Sequence, residues 1–343
     1  MTDENGVLRW GILGTGGIAH SFMEGLRATP TAQVTAVGSR TPERAEQFAK
    51  DWGLPRSHGD YASLAADPDV DVVYVATPHP WHHPHTLLCL RAGKHVLVEK
   101  PMAMNALQVA EMTAAARESG RFLMEAMWTR FLPLHRRVRE LVDDGAIGEL
   151  HQLSADFGVS APYDPDHRLF NADLGGGALL DLGVYPLALA SWYLGELTVV
   201  GATRRLSPDR MVDTQTTVLV RGSGGAAGLL SCASLTSTPG RAVLAGSRGW
   251  LEIPQFWAGT SAVLHRNGHE PEEIRRPLRA NGYEYEAEEV ARCVAAGLPE
   301  SPDIPWSESL HLATLTDRIR DMGGLVYSPP TVKAVPLPDS SQD

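Results

Sequence analysis

The chain has 343 residues, 43% of them hydrophobic and 21% charged, enough for two globular domains with separate cores and unlike a disordered or fibrous composition. Asp and Glu number 41 against 30 Lys and Arg, and the formal charge of -11 sets the molecular field against nonspecific binding to nucleic acid or an anionic membrane. Cys89, Cys232 and Cys293 are scattered without disulfide-framework or metal-ligand spacing, which suits a reducing compartment.

The opening MTDENGVLRW is acidic and has no basic segment, apolar stretch or cleavage site, and no later apolar run reaches the roughly 18 residues of a membrane span. A cytoplasmic protein is expected. From Val7 the chain alternates: VLRWGILG, helix-like GIAHSFMEGLRA, QVTAVGS, helix-like PERAEQFAKDWG, VDVVYVA, a helix from about Trp81 to Ala92, HVLVEK, a helix from about Asn105 to Ser119, and RFLME. Short apolar strands separated by single helices predict a parallel, doubly wound sheet, in which ligands bind at the carboxyl ends of the strands.

Four strand ends carry chemistry. Gly14-Thr15-Gly16-Gly17-Ile18-Ala19 is a G-x-G-x-x-A loop between a strand and a helix. Its glycines permit a tight turn and close approach of a pyrophosphate to the helix N-terminus, so a dinucleotide is expected; the plain alternative is a tight connection. At Gly38-Ser39-Arg40-Thr41 the acidic residue that would hold a ribose 2′-OH is missing, and Ser39 and Arg40 offer a hydroxyl and a guanidinium suited to a 2′-phosphate. NADP is therefore expected ahead of NAD.

The third end, Ala76-Thr77-Pro78-His79-Pro80-Trp81-His82-His83-Pro84-His85, is rich in histidine, but its prolines break the regular helix that would align metal ligands and it holds no Cys or acid. A loop edging the cofactor through Thr77, Pro78 and His82, with no metal, is the reading. The fourth end is Glu99-Lys100-Pro101, where proline stops strand pairing and presents the two charged residues toward the cleft; the alternative is a surface ion pair.

Beyond a helix at about Pro133 to Asp143, the runs LHQLSADFGV, LTVVGATRRL, TTVLVRG, GLLSCASL, RAVLAGS and GWLEIP read as strands separated by Gly-, Ser- and Pro-rich turns and by no regular helices, a largely antiparallel sheet. Helices at about Tyr283 to Ala296 and Ser307 to Met322 follow. The glycine stretch Gly175-Gly176-Gly177 opens a further helix that puts Asp181 and Tyr185 on one face at i,i+4 spacing. An acid among Leu180, Leu182 and Val184 needs a reason; a buried backbone-bonding Asp and an interfacial Tyr are the bland alternative. The polar loop YDPDHRLFN before it offers Asp164, His167, Arg168 and Phe170 as substrate contacts.

GTGGIA, ATP followed by His82, VEKP, MEAMWTRFLP (Met124 to Pro133) and GGGALLDLGVYPL (Gly175 to Leu187) together resemble the Gfo/Idh/MocA oxidoreductase family. AMWTRF and the tyrosine of DLGVYP place the likeness nearest the branch with dimeric dihydrodiol dehydrogenase and NADP-dependent D-xylose dehydrogenase; many members carry histidine where Tyr185 stands. The resemblance implies an NADP-binding Rossmann domain over residues 1–125 and a substrate-binding and oligomerisation domain over 126–343, built on an open antiparallel sheet that a second copy often covers. It carries Lys100, Asp181 and Tyr185 onto catalytic positions, and Trp128 and Arg130 onto positions near nicotinamide and substrate.

Hydride transfer needs a group that exchanges the hydroxyl proton, and a nearby ammonium lowers a tyrosine from its ordinary pKa of about 10, so Lys100 is expected to activate Tyr185, to hydrogen-bond the substrate oxygen, or to do both, with Asp181 orienting the lysine or a second hydroxyl; spacing does not decide whether Tyr185 or Lys100 transfers the proton. The expected activity is NADP-dependent hydride transfer on a sugar-like or cyclic polyol, of the aldose 1-dehydrogenase or dihydrodiol dehydrogenase type. A keto-sugar or nucleotide-sugar ketoreductase is the alternative enzyme. A noncatalytic NADP-binding sensor is the alternative of another class, since fold does not fix function.

Overall fold

The structure is a computed structural model that describes residues 7–322; the opening MTDENG and residues 323–343, the outer ends of the two expected domains, lie outside the described residues. The first half contains β1 (Leu8–Leu13), α1 (Gly17–Arg27), β2 (Ala32–Gly38), α2 (Pro42–Trp52), β3 (Arg56–His58), α3 (Tyr61–Ala66), β4 (Val72–Val75), α4 (His82–Arg91), β5 (His95–Glu99), α5 (Ala106–Ser119) and β6 (Leu123–Ala126). Its strands lie in the order β3-β2-β1-β4-β5-β6, and every pairing is parallel. β4, Val-Val-Tyr-Val, is buried at every residue, as a strand covered on both faces must be.

Local chemistry sets the helix limits. Pro42 opens α2 with its φ already helical and without an N–H to leave unpaired, and Gly53 closes it at φ +67. The Asn105 side chain accepts from Gln108 N to start α5, and Gly120 ends it at φ +61. The strand order turns back between β1 and β4, which opens a crevice at their carboxyl ends.

The second half adds α6 (Pro133–Asp143), β7 (Leu150–Gly158), a π-type turn at Leu179–Gly183 running into α7 (Val184–Leu194), then β8 (Leu197–Leu206), β9 (Asp213–Gly222), β10 (Ala227–Ala233), β11 (Arg241–Gly246), β12 (Gly249–Pro254), β13 (Ser261–Arg266), β14 (Glu272–Arg275), α8 (Glu284–Ala295) and α9 (Trp306–Asp321). Its sheet runs β14-β13-β12-β11-β7-β10-β9-β8 and is antiparallel except where β10 lies parallel to β7. The expected mostly antiparallel sheet is present. The helix expected after Gly175-Gly176-Gly177 lies as α7 between β7 and β8, and one feature differs from expectation: β13 and β14 extend the sheet. β14, Glu-Glu-Ile-Arg, buries only Ile274 and so carries almost no apolar alternation to read.

One face of this sheet packs on α7, whose residues Leu187, Ala188, Leu189 and Ala190 are at most 4% exposed. The segment Ala172–Leu194 is long and apolar enough by composition to cross a membrane, but 89% of its most apolar 18-residue window is buried inside the protein, as a core helix under the sheet. Burying each of its leucines contributes about 1.5–3 kcal/mol. The opposite face leaves Val200, Leu219, Leu229 and Trp250 exposed.

α8 and α9 return to the first sheet. Asn281 Nδ2, just before α8, donates to Ser21 O on α1 at 2.7 Å. Trp306 Nε1 donates to Leu123 O on β6 at 2.9 Å. These contacts fix the second sheet's helix α7 opposite the strand ends of the first.

Candidate active site

The glycine loop leaves room for a bound group. Gly14 adopts φ +108, and a Cβ there would come within 2.9 Å of Ala76 O, so only glycine makes this turn. At Gly16 and Gly17 a Cβ would meet nothing within 4 Å, which marks open space in front of α1. Gly16 caps α1 without a side-chain hydrogen bond, and no acidic residue stands in the first turn. Backbone N–H groups and the helix dipole are thus directed at that space, as a pyrophosphate needs, with Thr15 and Ile18 flanking it.

Ser39, at the end of β2, lies 3.5 Å by its hydroxyl from Thr15 Oγ1. Arg40 is exposed and makes no hydrogen bond or ion pair among the described residues. The geometry therefore leaves a guanidinium beside the glycine loop for an anion.

Each histidine of the third strand end has a local partner. His82 is fully buried, with Nε2 2.7 Å from Thr77 O and Nδ1 2.8 Å from Pro101 O. Burial lowers it to about 4, so the ring is neutral and donates to one of these two carbonyls while packing between the loop after β4 and the turn after β5. With no exposed surface it braces the cofactor cleft from behind, a correction to its expected place at the cleft edge. His85 Nδ1 lies 3.1 Å from Thr77 Oγ1, and His83 Nε2 2.7 Å from Glu111. Among the described residues no three His, Cys, Asp or Glu side chains group as metal ligands.

At the fourth end, Glu99 is 6% exposed; it accepts from Tyr74 OH at 2.5 Å and from Lys100 N at 3.1 Å. Burial raises its pKa. Lys100 reaches the other way, across the cleft. Its Nζ donates to Asp181 O at 2.8 Å and to Asp181 Oδ1 at 3.2 Å, and it lies 4.9 Å from the centre of the Tyr185 ring. Arg168 NH1 donates to the same Oδ1 at 2.9 Å, and His79 Nε2 lies 3.8 Å from it while His79 Nδ1 is 2.9 Å from Gly175 O. Burial alone would push the Asp181 carboxyl up; Lys100, Arg168 and His79 outweigh it and hold the group well below the usual carboxylate range. Burial holds His79 itself down at about 3.

Tyr185 departs from expectation. Lys100 sits over its ring face, not at its oxygen, and Trp128 Nε1 donates to the hydroxyl at 3.2 Å. Burial, with Glu99 and Asp181 nearby, pushes the phenol above its ordinary value, so the expected lowering by Lys100 is reversed. The π-type turn that carries Asp181 widens the helix just ahead of Tyr185, a distortion frequent at functional sites.

An aromatic wall surrounds this hydroxyl. Phe157 packs edge-on to Tyr185 at 5.5 Å and stacks on Trp257 at 3.9 Å, and Trp128 stacks on Tyr283 at 4.7 Å. Phe157, Trp257, Tyr283 and His79 are site residues that sequence reasoning did not single out.

Of the expected substrate contacts, Arg168 joins the cluster. Asp164 and His167 are exposed and bond within their own turn: Asp164 Oδ1 accepts from Asp166 N at 3.0 Å, and His167 Nδ1 accepts from Leu169 N at 3.3 Å. Phe170 is buried against Tyr163. Arg130 lines a small cavity together with Tyr185 and Trp192, and its guanidinium turns to α9. Its guanidinium donates to Asp303 O at 2.8 Å, pairs with Glu308 on α9 and lies over Trp192, because a buried guanidinium takes the carboxylate that α9 brings to it.

A glycine loop at the switch point of a parallel sheet, with a lysine at a neighbouring strand end facing a carboxylate and a phenol from the helix under the second sheet, defines a dinucleotide-dependent oxidoreductase. The chain belongs to the Gfo/Idh/MocA oxidoreductase family: residues 8–127 match its NAD-binding Rossmann fold and residues 135–252 its C-terminal domain. The trans-1,2-dihydrobenzene-1,2-diol dehydrogenase of Mus musculus is 39% identical over 335 residues, covering 93% of this chain and 98% of that one. KijD10, a 3-ketoreductase from Actinomadura kijaniata solved with NADP and TDP-benzene, is 33% identical with a TM-score of 0.83, over 92% of this chain and 97% of that one. An aldose-aldose oxidoreductase from Caulobacter crescentus complexed with glycerol is 28% identical with a TM-score of 0.86, over 93% and 98%. The family likeness drawn from GTGGIA, VEKP and DLGVYP is borne out.

Proposed function

We propose that the protein is an NADP-dependent oxidoreductase that transfers hydride between nicotinamide and the C–OH or C=O carbon of a cyclic diol or sugar-like polyol. The observation that carries this reading is the contact of Lys100 with Asp181 over the face of the Tyr185 ring, at the strand ends where the nicotinamide end of a dinucleotide on the glycine loop would lie. Nicotinamide, when bound, supplies the hydride acceptor or donor at C4. Gly14, Thr15, Gly16, Gly17 and Ile18 would hold its pyrophosphate, and Ser39 and Arg40 the 2′-phosphate, with Thr77, Pro78 and Glu99 along its path.

The chain's own groups handle the proton. Tyr185 keeps its proton at neutral pH and is poised to donate it to a carbonyl oxygen during reduction; in oxidation only its phenolate form can receive the alcohol proton, so the raised pKa favours the reductive direction at neutral pH. Lys100 hydrogen-bonds the substrate oxygen and keeps Asp181 ionised, and Asp181 with Arg168 orients a second hydroxyl. A substrate with one apolar face fits between the polar cluster and the aromatic wall of Trp128, Phe157 and Trp257. That amphipathic cleft favours a cyclic diol, as in the name of the mouse relative, or an aldose ring.

A second enzyme reading, a keto-sugar or nucleotide-sugar ketoreductase, is supported by the KijD10 neighbour and by exposed Arg168 at the mouth. Turnover of dihydrodiols, aldoses and keto-sugars, each with NADPH or NADP and with NADH or NAD, decides between them. Tight NADPH binding with no turnover on any of these would instead favour a noncatalytic sensor. The exposed Val200, Leu219, Leu229 and Trp250 support a homodimer through the open sheet face, and the three free, buried cysteines suit a reducing cytoplasm. Sedimentation equilibrium of the wild type and of Leu219→Glu tests the dimer.

A further inference from the structure

The turn that follows Lys100 is held from several elements at once. Pro101 O faces His82 Nδ1 at 2.8 Å, Arg320 NH2 donates to Met104 O at 2.7 Å, and Ala106 N donates to Asp317 Oδ2 at 2.8 Å. The tie nearest the lysine on its C-terminal side is made by a carboxylate. Met102 N donates to Glu125 Oε1 at 2.9 Å, and Ser309 Oγ, on α9, donates to Glu125 Oε2 at 2.6 Å. Glu125 is on β6 and 4% exposed, so these bonds are made away from water.

We propose that Glu125 is a positioning residue for Lys100: with both oxygens accepting, it clamps the turn to α9 and so fixes the reach of the lysine to Asp181. The inference rests on the reading of Lys100 as a catalytic group. It concerns a residue that touches neither cofactor nor substrate, and it gives α9 a part in the site.

The clamp needs the ionised form. A carboxylate accepts from both donors, whereas a carboxyl has an O–H of its own that must point at Ser309 Oγ, leaving the serine hydrogen without its acceptor. The charged groups around Glu125 are Glu99 from β5 and Glu308 from α9, the latter paired with Arg130 from the segment after β6. Burial first, then the two neighbouring carboxylates, raise Glu125 to about 7 against the opposing hydrogen bonds from Ser309 and Met102. Across neutrality the Ser309 bond therefore reverses direction and the serine hydrogen loses its acceptor, while Met102 N keeps its own. Glutamine, with one acceptor and one donor end, is a fixed counterpart of the protonated form.

The test is the pH dependence of kcat and KM for wild type, Glu125→Gln and Ser309→Ala, with NADPH affinity measured by fluorescence titration. For Glu125→Gln, kcat on the alkaline side is expected to fall about three- to tenfold, to the level the wild type reaches on the acid side, with no further change through neutrality. NADPH affinity and thermal midpoint are expected to stay at wild-type values, a split that loss of a merely structural contact would not give. For Ser309→Ala, which removes a bond that lowers the Glu125 pKa, the acid limb of kcat is expected to move to higher pH. Wild-type kcat and an unchanged acid limb in Glu125→Gln would overturn the proposal, and so would an unshifted limb in Ser309→Ala, the variant that decides if Glu125→Gln does not fold. Lys100→Met separates the two readings. If it retains turnover, the role of Lys100 falls and this inference with it; if it loses turnover while both other variants track wild type, only the clamp is overturned.

Discussion

Lys100 and Asp181 lie 81 residues apart and meet across the two sheets, Nζ donating to the main-chain oxygen at 2.8 Å and to Oδ1 at 3.2 Å. The main-chain bond positions the ammonium whatever the charge of the carboxyl, and the side-chain bond keeps the carboxyl ionised. Lys100→Met removes both and leaves Asp181 with Arg168 and His79. Turnover is expected to fall by about 10²- to 10⁴-fold, the range for loss of a positioned proton-handling group. NADPH affinity should stay within severalfold, because the glycine loop and Arg40 are untouched. Steady-state assays and cofactor titration read the two effects separately; near-normal turnover sinks the assignment.

Tyr185→Phe tests the phenol in the same way, and its pH behaviour is distinctive. The group is pushed above the ordinary tyrosine value of about 10 by burial and by Glu99 and Asp181. Phenolate absorbance followed on raising pH should therefore show that the step missing from Tyr185→Phe lies above that value. A missing step below neutrality would mean that Lys100 dominates the phenol after all. Turnover of Tyr185→Phe is expected to fall by about 10²-fold or more at neutral pH.

On the proposed reading, Arg40 is the residue expected to set the choice of NADP over NAD. An exposed guanidinium at the end of β2, beside Ser39 and the glycine loop, has an opening for a 2′-phosphate and no acid next to it to hold a ribose 2′-OH. Charge-assisted bonds of this kind are worth about 1.5–3 kcal/mol, so Arg40→Asp should weaken NADPH binding by roughly 10- to 100-fold and leave NADH equal or tighter. Equal affinity of the wild type for the two cofactors would remove the basis for this reading.

Much of this site was legible in local sequence because its parts are local devices. A glycine turn before a helix, an arginine where an acid is missing, a proline ending a strand after Glu99-Lys100, and an acid inside an apolar helix are each visible in a few residues. The aromatic wall was not legible, since Phe157 meets Trp257 from β7 and from the turn after β12, and nothing in either neighbourhood names the other. The pairing of Arg130 was not legible for the same reason: its partner Glu308 is 178 residues further on, in a helix that reads simply as amphipathic. His79 stood among four similar histidines, and only the placement of α7 shows that it, not His82, faces Asp181.

Glu286, on α8, is fully buried, and neither carboxyl oxygen has a hydrogen-bond partner among the described residues. Burial, then Glu99, raise its pKa well above the ordinary value. The folded chain thus holds a proton there that the unfolded chain releases above about pH 4.3, so this group's contribution to stability is greatest below that pH and declines as pH rises toward the folded pKa. Glu286→Gln keeps the shape and abolishes the titration. The variant should match wild type near pH 4 and exceed it at alkaline pH, the gap widening by up to about 1.4 kcal/mol per pH unit between the two pKa values. Glu99 and Glu125 also carry raised values but are present in both proteins, so most of their effect cancels in the difference. Denaturant unfolding of the pair at acid and alkaline pH measures the gap directly, and a gap that does not change with pH would show that Glu286 is ionised in the folded protein and has a partner for its charge.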